Sequence, residues 1–206
     1  PLLNSLHAAG VSIVVDRFNS RDAMSLVRKQ VRMGPRPAGS PTSRRLADFL
    51  RRSIPNGRFQ SVPGGLRNVI GVVPGKSRKR VVVVGAHYDT YKLRGFLGAN
   101  DGASGVAAVL QLARSIKPRT LPSTIVFAFF DGEEATLRDW GTTDHTYGSQ
   151  HYVDEGRRRA TLAGLKALIL VDMIGDRSQR FLRETSSTPW LTDIIWSTAR
   201  KRGHGA

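Results

Sequence analysis

Arg80-Val81-Val82-Val83-Val84-Gly85-Ala86-His87-Tyr88-Asp89 is the stretch on which the reading of this chain turns. Four consecutive valines leave no polar face, so they suit a strand covered on both sides and not a half-exposed one. Strands of that kind belong to sheets sandwiched between helices. His87 and Asp89 come just beyond the strand, where open α/β sheets place their ligands. Two further apolar runs end in the same manner. Thr124–Phe130 leads into Asp131-Gly132-Glu133-Glu134, and Leu165–Val171 leads into Asp172. Both are read as buried strands.

Helix signals flank these strands. Residues 20–33 have Ser20 as candidate N-cap and apolar positions at Ala23, Leu26, Val27 and Val31. Gly34-Pro35-Arg36-Pro37 breaks that helix, and residues 41–54 form a second, with Leu46, Phe49 and Leu50 on one face. After a turn at Pro55-Asn56-Gly57, residues 58–62 and 68–73 read as a hairpin, and the basic run 76–80 as the turn before the valine strand. Helices are also expected over 103–116, 147–155 and from 188 to about 200. The pattern predicts an α/β fold, a three-layer α/β/α sandwich with a mixed, mostly parallel central sheet. A single domain over 1–206 is expected, with N-terminal helices at 20–54 and a catalytic core at 58–206.

A chain of 206 residues can bury one sizeable core, and 40% hydrophobic content argues against disorder. There is no Cys, which excludes disulfides, thiolate metal sites and cysteine nucleophiles. Any metal must be held by His and carboxylates. No apolar run reaches the length of a membrane span. The start at Pro1, without Met or a signal pattern, suggests a processed, trimmed or incomplete chain. Lack of Cys leaves the compartment open, and an exported, periplasmic or extracellular protein is the expectation. The net charge of +16 would suit nucleic acid, but Arg44-Arg45, Arg51-Arg52 and Arg157–Arg159 are scattered and no nucleic-acid motif accompanies them. They read as a solvated basic surface.

Each candidate site residue has an ordinary alternative. Asp101 could be an N-cap, His87 a core histidine, and Asp172 a strand-end hydrogen-bonding residue. Their arrival at one sheet edge instead points to a metal site of hard carboxylates and one imidazole, as hydrolytic zinc requires. Glu133 and Glu134 are adjacent and cannot easily turn to the same ion. One can ligate while the other handles protons.

The segments Gly85–Asp89, Gly98-Ala99-Asn100-Asp101-Gly102-Ala103-Ser104-Gly105, Phe130–Glu134 and Asp172-Met173-Ile174-Gly175 resemble the zinc aminopeptidase and glutaminyl cyclase family of metallopeptidases. The likeness extends over essentially the whole chain, including Gly34–Pro41. It implies a zinc exopeptidase-like fold, one or two zinc ions, and peptide or protein N-termini as substrates. In a two-zinc aminopeptidase, His87 and Asp172 would hold one metal, Glu134 the other, and Asp101 would bridge them. In a cyclase, which keeps one zinc, Asp101 and Glu134 would be ligands. Asp89 would orient His87, and Glu133 would be the general base or the proton relay from the substrate's α-amine. The family's remaining histidine ligand lies in a C-terminal stretch that His204 comes too early to match. The resemblance therefore implies that the C-terminal third is absent here and the site one ligand short.

Between Glu134 and Gly148 the link is long and carries Trp140, Asp144 and Tyr147. That resembles the cyclases, with Trp140 in the substrate pocket, whereas Asn100–Gly105 looks more like the two-zinc peptidases. His145 and His151 are read as loop and helix-surface residues. The cyclase reading comes first, the two-zinc aminopeptidase second. A non-catalytic binding homologue stands third, because the acidic residues are intact.

Overall fold

The computed structural model describes residues 18–136 and 143–204. The chain divides into two compact units, Pro1–Ile174 and Gly175–Ala206.

In the first unit, α1 spans Ser20–Met33. Its cap is Asn19 and not Ser20: the Asn19 backbone is still extended, and its side chain accepts from the N–H groups of Arg21 and Asp22. Helix α2, Pro41–Ser53, starts with Pro41 at its first position and Ser40 accepting from the Ser43 N–H. Strands β1 (Arg58–Val62) and β2 (Leu66–Val73) form the expected hairpin, antiparallel from Arg58 opposite Ile70 to Val62 opposite Leu66. Next come β3 (Ser77–His87), α3 (Ala103–Ser115), β4 (Ser123–Phe130), α4 (Tyr147–Arg158) and β5 (Leu165–Leu170). The basic run expected as a turn is instead the opening of β3. Its pairing with β4 jumps from Ser77 to Val81, so Arg78, Lys79 and Arg80 stay exposed while the strand continues.

The sheet order is β1-β2-β4-β3-β5. β3 runs parallel to β4 and β5, and β2 runs antiparallel to β1 and β4. This is the expected mixed sheet with a parallel centre. Leu26 of α1, Leu46 and Leu50 of α2, and Val106 and Leu110 of α3 pack with Val84, Ala86, Phe127 and Phe129 on one face. On the other face Ile70, Val83, Ala128 and Phe130 meet Tyr152 of α4. The Phe130 and Tyr152 rings sit edge to face with centroids 5.7 Å apart. Burial on both sides is what the valine run demanded.

β5 departs from expectation. It is an edge strand among the described residues, and its burial alternates; Leu168 and Leu170 are 38% and 52% exposed. An apolar run specifies a strand, but its position in the sheet decides whether both faces are covered. In the second unit, α5 (Pro189–Lys201) is held by an Arg183–Asp193 ion pair, and the Arg183 guanidinium lies over the Trp196 ring. No helix among the described residues is long and apolar enough to cross a membrane.

Helix α3 is seated on the carboxyl ends of the central strands through Gly105. A Cβ there would stand 2.2 Å from the Val171 carbonyl oxygen and 3.2 Å from Ala86 Cβ. Gly105→Ala should therefore destabilise the protein despite its better helix propensity, by about 1–3 kcal/mol as overpacking does. Urea unfolding checks this. A midpoint equal to the parent's, with the same slope, would mean that α3 does not press on Val171.

Candidate metal centre

β3 delivers His87 to the carboxyl edge of the sheet, where it is 2% exposed. Asp101 arrives from the loop that enters α3. That approach needs Gly102 at φ +68, because a Cβ there would stand 3.1 Å from His87 Cε1 and 3.0 Å from the Asp89 carbonyl oxygen. Asp172 follows β5, and Ser104 ties that end down by accepting from the Ile174 N–H at 3.1 Å. Glu133 and Glu134 follow β4.

These carboxylates surround one imidazole. His87 Nε2 lies 3.0 Å from Asp101 Oδ1 and 3.3 Å from Asp172 Oδ1. His87 Nδ1 lies 3.6 Å from Asp89 Oδ1 and 3.7 Å from Glu133 Oε2. Two groups of potential metal ligands result, sharing His87: one with Asp101 and Asp172, the other with Glu133 and Glu134. All the predicted ligands therefore converge. Trp140, the predicted pocket residue, lies outside the described residues. His151 is 3.9 Å from Glu155, neither it nor His145 joins either ligand group, and His204 belongs to the second unit.

Asp89 does more than face His87. Fully buried, it accepts from the N–H of Glu133 through Oδ1 and from the N–H of Glu134 through Oδ2, each at 3.1 Å. The carboxylate thus fixes the turn that carries both glutamates. Sequence reasoning assigned Asp89 to His87 alone, since nothing local links residues that are 44 positions apart. Asp131 was also missed as a support. It is buried, accepts from Ser43 Oγ and the Arg67 N–H, and donates its own N–H to Asn68 Oδ1. Burial and the Asp89 charge push its carboxyl up to about 6. The signal for Asp131 was its place at the end of an apolar strand. Asp144, singled out in the long link, joins Thr136 to Tyr147: the Thr136 N–H and Oγ1 donate to it, as does the Tyr147 hydroxyl.

The charge pattern calls for a cation. Burial disfavours the His87 imidazolium, but Asp101, Asp172 and Asp89 outweigh it and push His87 up to about 12. Burial first, and then neighbouring carboxylates, raise Glu133 to about 7 and Glu134 to about 8, with His87 opposing. Neither His87 nitrogen nor Glu134 Oε1 has a properly directed hydrogen bond, although all three are buried. Orphaned nitrogen and oxygen donors facing one another fit a divalent ion such as zinc.

The sequence model of peptidase family M28 matches residues 68–205. A Drosophila melanogaster glutaminyl-peptide cyclotransferase is 34% identical over 104 residues, covering 47% of this chain. The chain spans only 29% of that curated relative's length. An Acidobacteriales bacterium glutaminyl cyclase structure matches with TM-score 0.79 and 33% identity, covering 91% of this chain and 70% of that one. A Zn-dependent exopeptidase from Parabacteroides distasonis matches with TM-score 0.76 and 25% identity, covering 91% of this chain and 73% of that one.

The dual acceptance by Asp89 is open to direct test. Asp89→Asn turns one acceptor into a donor facing a backbone N–H, which loosens the Glu133–Glu134 turn. Zinc affinity, measured by competition with a chelator, should fall about 10–100-fold, as for other residues that orient metal ligands. An affinity within twofold of the parent's would show, at this order of magnitude, that the turn holds itself.

Proposed function

This chain belongs to peptidase family M28, and on that footing we propose that it is part of a zinc enzyme acting on peptide N-termini, in the first place a glutaminyl-peptide cyclotransferase. The observation that carries the reading is the cage of carboxylates around His87, with Glu133 and Glu134 side by side at its rim. The cyclase names among the similar proteins, and the length of the link between Glu134 and Gly148, support cyclisation over hydrolysis.

Asp101 and Glu134 are the ligands we assign to a single zinc, with His87 and Asp172 beside them. Zinc bound there would polarise the γ-amide carbonyl of an N-terminal glutamine. Glu133 accepts the proton that the α-amine gives up as its nitrogen bonds to the γ-carbon. It returns that proton to the amide nitrogen, the C–N bond breaks, and ammonia leaves with pyroglutamate behind. Without an ion, burial raises the Glu133 carboxyl to about 7, and its place beside the other ligands suits a group that takes and returns a proton. Trp140 is assigned to the wall of the pocket that folds the glutamine side chain back on its own amine.

One observation favours a second reading. The ligands fall into two groups sharing His87, a layout that would also serve two ions. In a two-zinc aminopeptidase Asp101 would bridge the ions and Glu133 would deprotonate the attacking water.

Two assays on one preparation of the full-length enzyme separate these readings. The cyclase should release ammonia and pyroglutamate from an N-terminal Gln peptide and hydrolyse a leucine anilide poorly. Brisk leucine release without ammonia would establish the aminopeptidase instead. The two glutamates should also part company. Glu134→Ala should weaken zinc binding, as loss of a ligand does. Glu133→Gln should keep the zinc but lose about 10²–10⁴-fold in turnover, the usual contribution of a general acid–base group. A zinc-loaded Glu133→Gln protein turning over at the parental rate would remove Glu133 from the mechanism.

A further inference from the structure

Arg36 is the largest fully buried side chain among the described residues, with 0% exposure, and no charged hydrogen-bond partner accounts for it. Burying a guanidinium is costly unless its donors are satisfied. Here backbone carbonyls satisfy them. Nη1 donates to the carbonyls of Gln30, Gly34 and Leu97 at 3.0, 2.9 and 3.0 Å, and Nη2 donates to Gly98 at 3.2 Å. Only Nε is left without a partner. The Arg36 backbone engages Thr90 on both sides: its N–H donates to Thr90 Oγ1 at 2.9 Å, and its carbonyl accepts from the Thr90 N–H at 3.1 Å.

Those contacts grip both ends of one loop. Thr90 follows Asp89, and Leu97-Gly98 precedes Asp101, so Arg36 spans the segment between two residues of the metal centre. The grip continues into α3. The Gly98 carbonyl also accepts from the Ala103 N–H, and Gln30 reaches the Ala103 carbonyl at 3.1 Å. Gly98 itself has φ +56, and a Cβ there would stand 2.4 Å from the Asp101 carbonyl oxygen, so the loop has little freedom to re-form elsewhere. Arg36 also places a positive charge near Asp89. Burial brings the guanidinium down to about 10, with the Asp89 charge acting in the opposite direction.

We infer that Arg36 is a positioning residue for the metal centre: it clamps the Thr90–Gly98 loop so that Asp101 and Asp89 are held in place before any ion binds. The guanidinium fork matters here, because an ammonium cannot direct donors to carbonyls on both α1 and the loop at once.

Zinc binding, which this inference shares with the proposed function, is one readout; amide exchange, which needs no ion, is the other. In the full-length protein Arg36→Met should weaken zinc affinity about 10–100-fold, the usual effect of losing a residue that orients ligands. That loss should shrink in an Asp101→Asn background, where the clamped ligand is already compromised. Amide exchange measured without zinc should accelerate across residues 90–101 and stay slow in β4, whereas general destabilisation would speed both. Arg36→Lys keeps the charge and should fall between parent and Arg36→Met; if the methionine variant does not fold, the lysine variant carries the test. Exchange over 90–101 equal to the parent's in the folded variant would overturn the inference. A parent protein that binds no zinc would overturn the functional reading, and the exchange result would still decide this one.

Discussion

Carboxylates from Asp89, Asp101, Glu133, Glu134 and Asp172 crowd around the buried imidazole of His87, and most of the surrounding structure serves to keep them there. Two like charges about 4 Å apart near a protein surface repel by about 4 kcal/mol. Burial first, and then the neighbouring carboxylates, raise the carboxyls of Glu133 and Glu134. A divalent cation would resolve the conflict. Without one, hydrogen bonds from the surrounding backbone and side chains hold the geometry.

They do so through fixed contacts at each strand end. Asp89 accepts two backbone N–H groups from the glutamate turn, and Ser104 accepts from Ile174 beyond Asp172. Gly102 and Gly105 leave room for the α3 entrance to press against His87 and Val171. Asp131, the residue between β4 and the glutamates, is anchored to β2 through Asn68 and Arg67. Each contact joins segments far apart in sequence. The centre therefore depends on the sheet and α3 being in place.

Cyclisation and hydrolysis ask different things of such a centre. An intramolecular attack needs the substrate's amine to be folded back against its own amide, which is a matter of pocket shape and orientation. Hydrolysis needs an activated water and benefits from a second ion. The ligand cage is compatible with both. The proposed discrimination lies in the long link between Glu134 and Tyr147, whose ends the Asp144 carboxylate ties to Thr136 and Tyr147.

The amino-acid sequence determined the element order, because apolar runs, Pro-Gly breaks and helical periodicity are local signals. It also determined which residues reach the sheet edge, since a strand's length and register fix where its end lies. His87, Glu133, Glu134 and Asp172 reach that edge for this reason, while Asp101 comes from the loop that enters α3. Three features were settled only by tertiary structure. Leu165–Leu170 proved to be a half-exposed edge strand, because apolar composition reports a strand and not its neighbours. Asp89 proved to hold the glutamate turn, since a hydrogen bond across 44 residues leaves no local trace. Arg36, read as part of a Gly-Pro helix break, became the buried clamp on the metal loop. A charged residue between prolines looks like surface until the fold surrounds it with carbonyls, and only the assembled loop and α1 supply those.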